Sequence, residues 1–181
     1  MPITVTFPGR ELYDQQTGKF ITTQTTTVTL EHSLISVSKW ESKWKRSYFI
    51  KEPMTIEQSI DYIACMCLTK NIDPNIFRTM SAETAKEISD YISDPMTATT
   101  ITHRNKRPSR EIITSEVIYF WMCNYGIPFD PCQKWHLNRL MTLLEVAAAK
   151  ESGDKKMPRK EMLQQRSLLN AQRKAKYNTR G

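Results

Sequence analysis

The chain has 181 residues, of which 39% are hydrophobic and 25% charged, a composition typical of one globular domain with a hydrophobic core. No segment approaches the roughly 20 apolar residues of a membrane-spanning helix, which argues against an integral membrane protein. The first residues lack the basic and apolar regions of a secretory signal, so we expect the protein to be made and to remain in a cytoplasm.

The net charge of +7 is concentrated near the C-terminus. Residues 1–150 contain 17 Lys and Arg against 16 Asp and Glu, whereas residues 151–181 contain nine against three. The body is therefore near neutral, and the last 31 residues carry a net charge of +6.

Residues 1–30 have the composition of β-strands. Thr alternates with apolar residues in Ile3–Phe7 and again in residues 27–30. Pro8-Gly9 and Gly18 indicate turns between strands. The pattern predicts a small antiparallel hairpin or meander with residues 19–23 as its middle strand.

Three helices follow, and each begins at a capping residue. Ser33 precedes apolar residues at helical spacing as far as Trp44. Thr55 and Gln58 form a capping-box sequence, and Ser81 precedes a third apolar stripe. The predicted buried stripe of the second helix consists of Ile60, Ile63, Ala64, Cys67 and Leu68. We expect Asp94-Pro95 to end the third helix.

Residues 96–110 lack a helical period and are predicted to form a loop or arm. Residues 112–125 are apolar almost all round and stop at Gly126, which predicts a fourth helix at the centre of the core. A fifth helix is expected over residues 132–149, with Trp135 inside it and Gly153 ending it.

The fold predicted by these elements is mainly α, in an α+β arrangement. A small β hairpin or meander (1–30) precedes a bundle of about five helices (31–152) and a basic C-terminal helical arm (153–181). The arm carries too few apolar residues to fold alone, so we expect it to become ordered on a partner.

The residues that catalysis or cofactor binding requires are sparse. The chain has five glycines, none in a phosphate-binding loop, and its three histidines are far apart in sequence. The closest cysteines, Cys65 and Cys67, do not have zinc-ligand spacing, and those two and Cys123 are expected to be buried in apolar helices. We therefore expect a protein that is not an enzyme and that has no cofactor and no metal.

Several segments together resemble a known family. They are LEHSLISVSKWESKW (30–44), DPMTATT (94–100), REIIT (110–114) and WHLNRL (135–140), and the resemblance extends over residues 28–181. A helix that ends in Tyr125-Gly126-Ile127 and is followed by a Trp-containing helix is similar to the same family. The chain thus resembles the tail assembly chaperones of long-tailed, siphovirus-type bacteriophages. The N-terminal β segment departs from the all-helical structure usual in that family.

The resemblance implies a function without an active site. Chaperone copies would coat the long apolar tape measure protein in the host cytoplasm, keep it soluble and help to recruit tail tube subunits. The helical body would hold the tape measure helix in a groove, and the basic arm would contact a tube subunit or another chaperone copy. The candidate partner-binding residues are Trp40, Trp44, Trp135, Arg139, Arg159, Lys160, Arg166, Arg173 and Lys174.

Two other functions remain open on the sequence. Thr-rich strands and a basic arm also suit a structural virion component of the tail, neck or head-to-tail connector. The basic residues of the loop and arm also suit nucleic-acid binding, although the near-neutral body contains no recognised nucleic-acid-binding motif. For the tryptophans, packing in the core is the alternative to partner binding.

Overall fold

The computed structural model describes residues 2–14, 18–99 and 111–154, together with Leu163 and Ser167. About 52% of the described residues are helical and 15% are in strands, so the predicted mainly α, α+β fold class is confirmed. The chain divides into two compact units, Met1–Glu145 and Val146–Gly181. In the described ranges, no helix combines the length and apolarity needed to cross a bilayer.

Four short strands form two separate antiparallel sheets. Strand β1 (Ile3–Phe7) pairs with β4 (Thr26–Leu30), and β2 (Glu11–Asp14) pairs with β3 (Lys19–Thr22). A strand is therefore present near residues 19–23 as predicted, but the prediction that it is the middle strand is wrong. It forms a local hairpin with β2, inserted between the two strands of the first sheet.

Gly9 lies where the two sheets meet. A Cβ atom at this position would lie 2.7 Å from the backbone nitrogen of Thr25 and 2.8 Å from the carbonyl oxygen of Thr23. Only glycine permits this close approach of the two chain segments. On the neighbouring residue, the Arg10 amide donates to Thr23 Oγ1 at 3.0 Å, which closes the base of the hairpin.

The helices of the body are α1 (Leu34–Trp44), α2 (Ile56–Met66), α3 (Ala82–Ser93), α4 (Ser115–Asn124), the short α5 (Phe129–Cys132) and α6 (Leu137–Asp154). A 3₁₀ helix, Pro74–Thr79, lies between α2 and α3 and was not predicted. The predicted caps Ser33, Thr55 and Ser81 all accept hydrogen bonds from first-turn amides, and Thr55 with Gln58 forms the full capping box.

The apolar stripe predicted for α2 is partly wrong. The helix ends at Met66, and its buried residues include Tyr62, Ile63 and Met66. Leu68 is exposed because the chain has already turned towards β4, where the Leu68 amide donates to the carbonyl of Thr29 at 2.9 Å.

The expectation that α4 is buried all round is also wrong. Ile118 and Met122 are completely buried, whereas Phe120 is 61% exposed and Cys123 is exposed. One face of α4 packs into the core, and the opposite face has no partner among the described residues that would cover Phe120. Of the four cysteines, only Cys132 is buried, so the expected burial of Cys123 fails for the same reason.

The start of the last long helix differs from the prediction. Helix α6 begins at Leu137, so Trp135 precedes it rather than lying inside it. The helix continues to Asp154, and Gly153 therefore does not end it. Leu137, Leu140 and Leu144 are the residues of α6 that are buried in the core of the first unit.

Candidate partner-binding site

Trp40 belongs to the core. Its side chain is completely buried, its Nε1 donates to the carbonyl oxygen of Gln58 at 2.9 Å, and its ring contacts Tyr48 and Tyr62 edge to face. A buried indole with its one donor satisfied is a packing residue. Trp40 therefore does not line an accessible groove, and we correct its assignment from partner binding to core packing.

Trp44 lies one helical turn later and is only partly buried. Its Nε1 donates to Oδ2 of Asp61 at 3.1 Å, and Lys43 forms an ion pair with the same carboxylate. The two tryptophans therefore have different environments, although they share a helix face and their rings are 6.5 Å apart. Asp61 connects Trp44 to the edge of an open groove.

This groove lies between α2 and the 3₁₀ helix and has a volume of about 550 Å³. It is lined by Ile56, Glu57, Ile60, Asp61, Ala64, Pro74, Asn75, Phe77 and Arg78. Ile56, Ile60 and Ala64 are four residues apart along α2, so they form one stripe along the groove. Ile56 is 82% exposed. We call this surface the α2 groove.

Sequence reasoning assigned Ile60 and Ala64 to the core and did not select Ile56 or Phe77. The position of the 3₁₀ helix decides these environments, because it covers only part of the outer face of α2. The sequence feature that could have indicated this groove is Ile56, an apolar residue directly after the Thr55 cap and outside the predicted buried stripe.

Trp135 and Arg139 lie together in a second pocket of about 370 Å³. The Arg139 guanidinium carbon is 4.5 Å from the centroid of the Trp135 ring, a cation–π stack. Glu31, Met96, Lys134, Trp135, His136 and Arg139 line the pocket. We call it the Arg139 pocket.

Hydrogen bonds between α6 and the end of α3 hold the walls of this pocket. Asn138 Nδ2 donates to the carbonyl oxygens of Ile92 at 2.9 Å and Asp94 at 2.8 Å. Asp94 in turn accepts a bond of 2.7 Å from the amide of Met96, whose φ of 51° is unusual for a residue other than glycine. The Met96 wall is therefore fixed by its neighbours, at some cost in backbone strain.

Beneath the pocket lies a buried polar network. The rings of His32 and His136 are 5.0 Å apart, and both residues are buried. His136 Nε2 donates to the carbonyl oxygen of Tyr91 at 3.1 Å, and the Tyr91 hydroxyl donates to Glu31 Oε1 at 2.8 Å. His32 Nδ1 hydrogen-bonds with the hydroxyl of Tyr62.

Burial keeps both histidines of this network in the neutral form. Desolvation, with a smaller contribution from His136, lowers the pKa of His32 to about 3. Desolvation also lowers the pKa of His136, and it raises that of Tyr62 well above its ordinary value. Since both nitrogens of His136 already have hydrogen-bond partners, the network serves the interior rather than the pocket mouth.

No group of three or more His, Cys, Asp or Glu side chains in the described ranges is placed to hold a metal ion. The remaining predicted site residues, Arg159, Lys160, Arg166, Arg173 and Lys174, lie outside the described residues. Of the predicted site residues that the structure describes, Trp44 contacts Asp61 at the edge of the α2 groove, and Trp135 and Arg139 line the Arg139 pocket.

Comparison with protein-family models, curated proteins and solved structures finds no match to this chain.

Proposed function

We propose that this protein is a phage tail assembly chaperone that binds the tape measure protein in the host cytoplasm and keeps it soluble. The proposal is supported by the resemblance of four segments to that family. The single structural observation that carries it is the α2 groove, an apolar stripe left open on a folded helical body.

The α2 groove has the features of helix-in-groove recognition. Ile56, Ile60 and Ala64 offer apolar surface at helical spacing, and Glu57 and Asp61 lie beside them. Covering one exposed Ile-sized side chain contributes about 1.5–3 kcal/mol. An amphipathic tape measure helix with apolar residues at matching intervals would bury this stripe and its own apolar face together.

In this proposal the basic arm has a separate role. A long tape measure chain needs several chaperone copies, and the net charge of +6 in residues 151–181 suits contact with an acidic surface. The arm would reach a neighbouring copy or a tail tube subunit and so help to recruit tube subunits.

Co-expression with the tape measure protein of the same phage tests the proposal. We expect a soluble complex with several copies of this chain per tape measure chain. Ile56→Asp should reduce recovery of the complex about tenfold, because a loss of about 1.4 kcal/mol is a factor of ten in affinity. The fold should tolerate this change, because an acidic residue is favourable in a first helical turn.

Ile112→Asp is the matched control, because Ile112 is also an exposed isoleucine but lies outside the α2 groove. Its complex should form as well as that of the original chain. An insoluble tape measure protein beside a lone soluble chain would overturn the proposal, and so would equal losses for the two variants.

A structural component of the virion is the second candidate, and the β2–β3 hairpin favours it. Tyr13 and Phe20 face each other across this hairpin with ring centroids 5.1 Å apart, and they are 56% and 67% exposed. Such a pair is suited to contact with a neighbouring subunit. Mass spectrometry of purified particles separates the two functions, because an assembly chaperone is absent from mature virions and a component is present.

A further inference from the structure

Arg139 is an exposed cation held in a fixed orientation. Its stack on Trp135 occupies one face of the guanidinium and leaves the N–H edges available. Among the residues that the structure describes, no carboxylate lies within ion-pair distance of Arg139. A guanidinium binds a carboxylate through two parallel N–H···O hydrogen bonds. A carboxylate is therefore the group that best matches the available N–H edges of Arg139.

The other cation of the pocket is already paired. Lys134 forms an ion pair with Asp130, four residues earlier. Glu31, the carboxylate that lines the pocket, is buried and accepts a hydrogen bond from the Tyr91 hydroxyl at 2.8 Å. Arg139 therefore sets the charge at the pocket mouth, while Trp135 and Met96 supply apolar walls.

We propose that the Arg139 pocket binds an acidic side chain of a protein partner. The carboxylate pairs with the Arg139 guanidinium, and an adjoining apolar group of the partner packs on Trp135 and Met96. The pocket is built before binding, because Asn138 fixes the end of α3 that carries the Met96 wall. This inference is independent of the tape measure proposal, since it concerns a different surface.

A protein ligand suits the pocket better than a nucleic acid. Strands of nucleic acid are tracked by rows of cations that contact successive phosphates. The pocket instead presents one stacked guanidinium, two apolar walls, a lysine already paired with Asp130 and the buried carboxylate of Glu31. This arrangement matches a single carboxylate next to an aliphatic group.

Fluorescence anisotropy of the full chain with a labelled peptide of repeated Glu-Glu-Leu tests the proposal, and the Gln-Gln-Leu peptide is the control ligand. We expect saturable binding of the glutamate peptide and at least about tenfold weaker binding of the glutamine peptide. Arg139→Ala should weaken binding of the glutamate peptide about tenfold. Arg139→Lys should give an intermediate loss, because it keeps the charge but removes the planar, stacked donor.

Lys86→Ala removes an exposed cation on α3 outside the pocket and should leave the affinity unchanged. The proposal is overturned if the glutamine peptide binds as tightly as the glutamate peptide, or if Lys86→Ala and Arg139→Ala reduce binding equally. It is also overturned if an oligothymidylate binds more tightly than the glutamate peptide and depends on Arg139, since that result would indicate a phosphate site.

Discussion

The two N-terminal sheets are nearly equal in length and pairing, but their surroundings differ. In the β1–β4 sheet, Val5, Phe7, Val28 and Leu30 are all buried, and Phe7 contacts Phe77 edge to face at 5.4 Å. In the β2–β3 hairpin, Tyr13 and Phe20 contact each other and are mostly exposed. The first sheet is part of the core, whereas the aromatic pair of the hairpin lies outside it.

This difference shows that antiparallel pairing alone does not decide where a strand lies. An isolated two-stranded hairpin is marginally stable in water and needs packing for independent stability. The β1–β4 sheet obtains that packing from α3 and the 3₁₀ helix. The chain at the end of α2 adds backbone bonds to β4 and to the residue after it: the Leu68 amide donates to the Thr29 carbonyl, and the Glu31 amide donates to the Met66 carbonyl, both at 2.9 Å. The hairpin keeps its aromatic pair on the outside, where a partner can reach it.

The largest effect is expected from Phe7→Ala in the packed sheet. Removing this completely buried ring deletes its contact with Phe77 and leaves a cavity, which costs about 3–5 kcal/mol of unfolding free energy. Urea unfolding followed by circular dichroism and tryptophan fluorescence measures the loss. A loss below about 1 kcal/mol would mean that the first sheet is not part of the cooperative core.

Low pH should reduce the free energy of unfolding through His32, which lies two residues after β4 of the β1–β4 sheet. The folded pKa of His32 is about 3, against an ordinary 6.5, so the unfolded state binds the proton more readily. The stability is fully present above about pH 6.5 and falls as the pH is lowered towards 3. The expected slope is about 1.4 kcal/mol per pH unit for this histidine, and His136 adds to it in the same direction.

Urea midpoints measured between about pH 7 and 4.5 test this expectation. His32→Gln removes one titrating group and should reduce the slope, although it also lowers the stability at neutral pH. Phe20→Ala should retain the full slope, because the β2–β3 hairpin makes no contact with the histidine network in the described structure. A stability independent of pH across this range would contradict the assignment of two buried neutral histidines.

The smallest effect is expected from Phe20→Ala in the hairpin. The ring is mostly exposed, and its loss removes one cross-strand aromatic pair, which is worth about 1 kcal/mol or less. The same urea experiment, performed beside Phe7→Ala, measures both values. Similar losses for the two variants would show that the hairpin is packed as tightly as the first sheet.

The starts of α1, α2 and α3 were predictable because capping is local. Ser33, Thr55 and Ser81 each accept a bond from an amide three residues later, so the required information lies within four residues. The pairing of β1 with β4 was not predictable in the same way. The β1–β4 pairing joins two strands that are separated in sequence by the whole β2–β3 hairpin. The alternation of Thr and apolar residues in a strand does not show whether the strand pairs with its neighbour in sequence or with a more distant strand.

The candidate surfaces were predicted only in part. Trp135 and Arg139 were both selected from the sequence, and the structure brings them into one pocket. Trp40 and Trp44 were equally good candidates for partner binding in the sequence, because they are four residues apart on one helix face. Their different burial separates them: Trp40 is completely buried and donates to the Gln58 carbonyl, whereas Trp44 is partly buried and donates to the Asp61 carboxylate at the edge of the α2 groove.

The sequence by itself determined the α+β class, the starts of α1, α2 and α3, and the concentration of positive charge near the C-terminus, because these depend on periodicity, capping and composition. Only the tertiary structure decided which strands pair, that α4 is buried on one face, and that Ile56 and Phe77 line a groove. Those properties depend on partners far away in the chain, and an apolar residue looks the same in sequence whether a neighbour covers it or not.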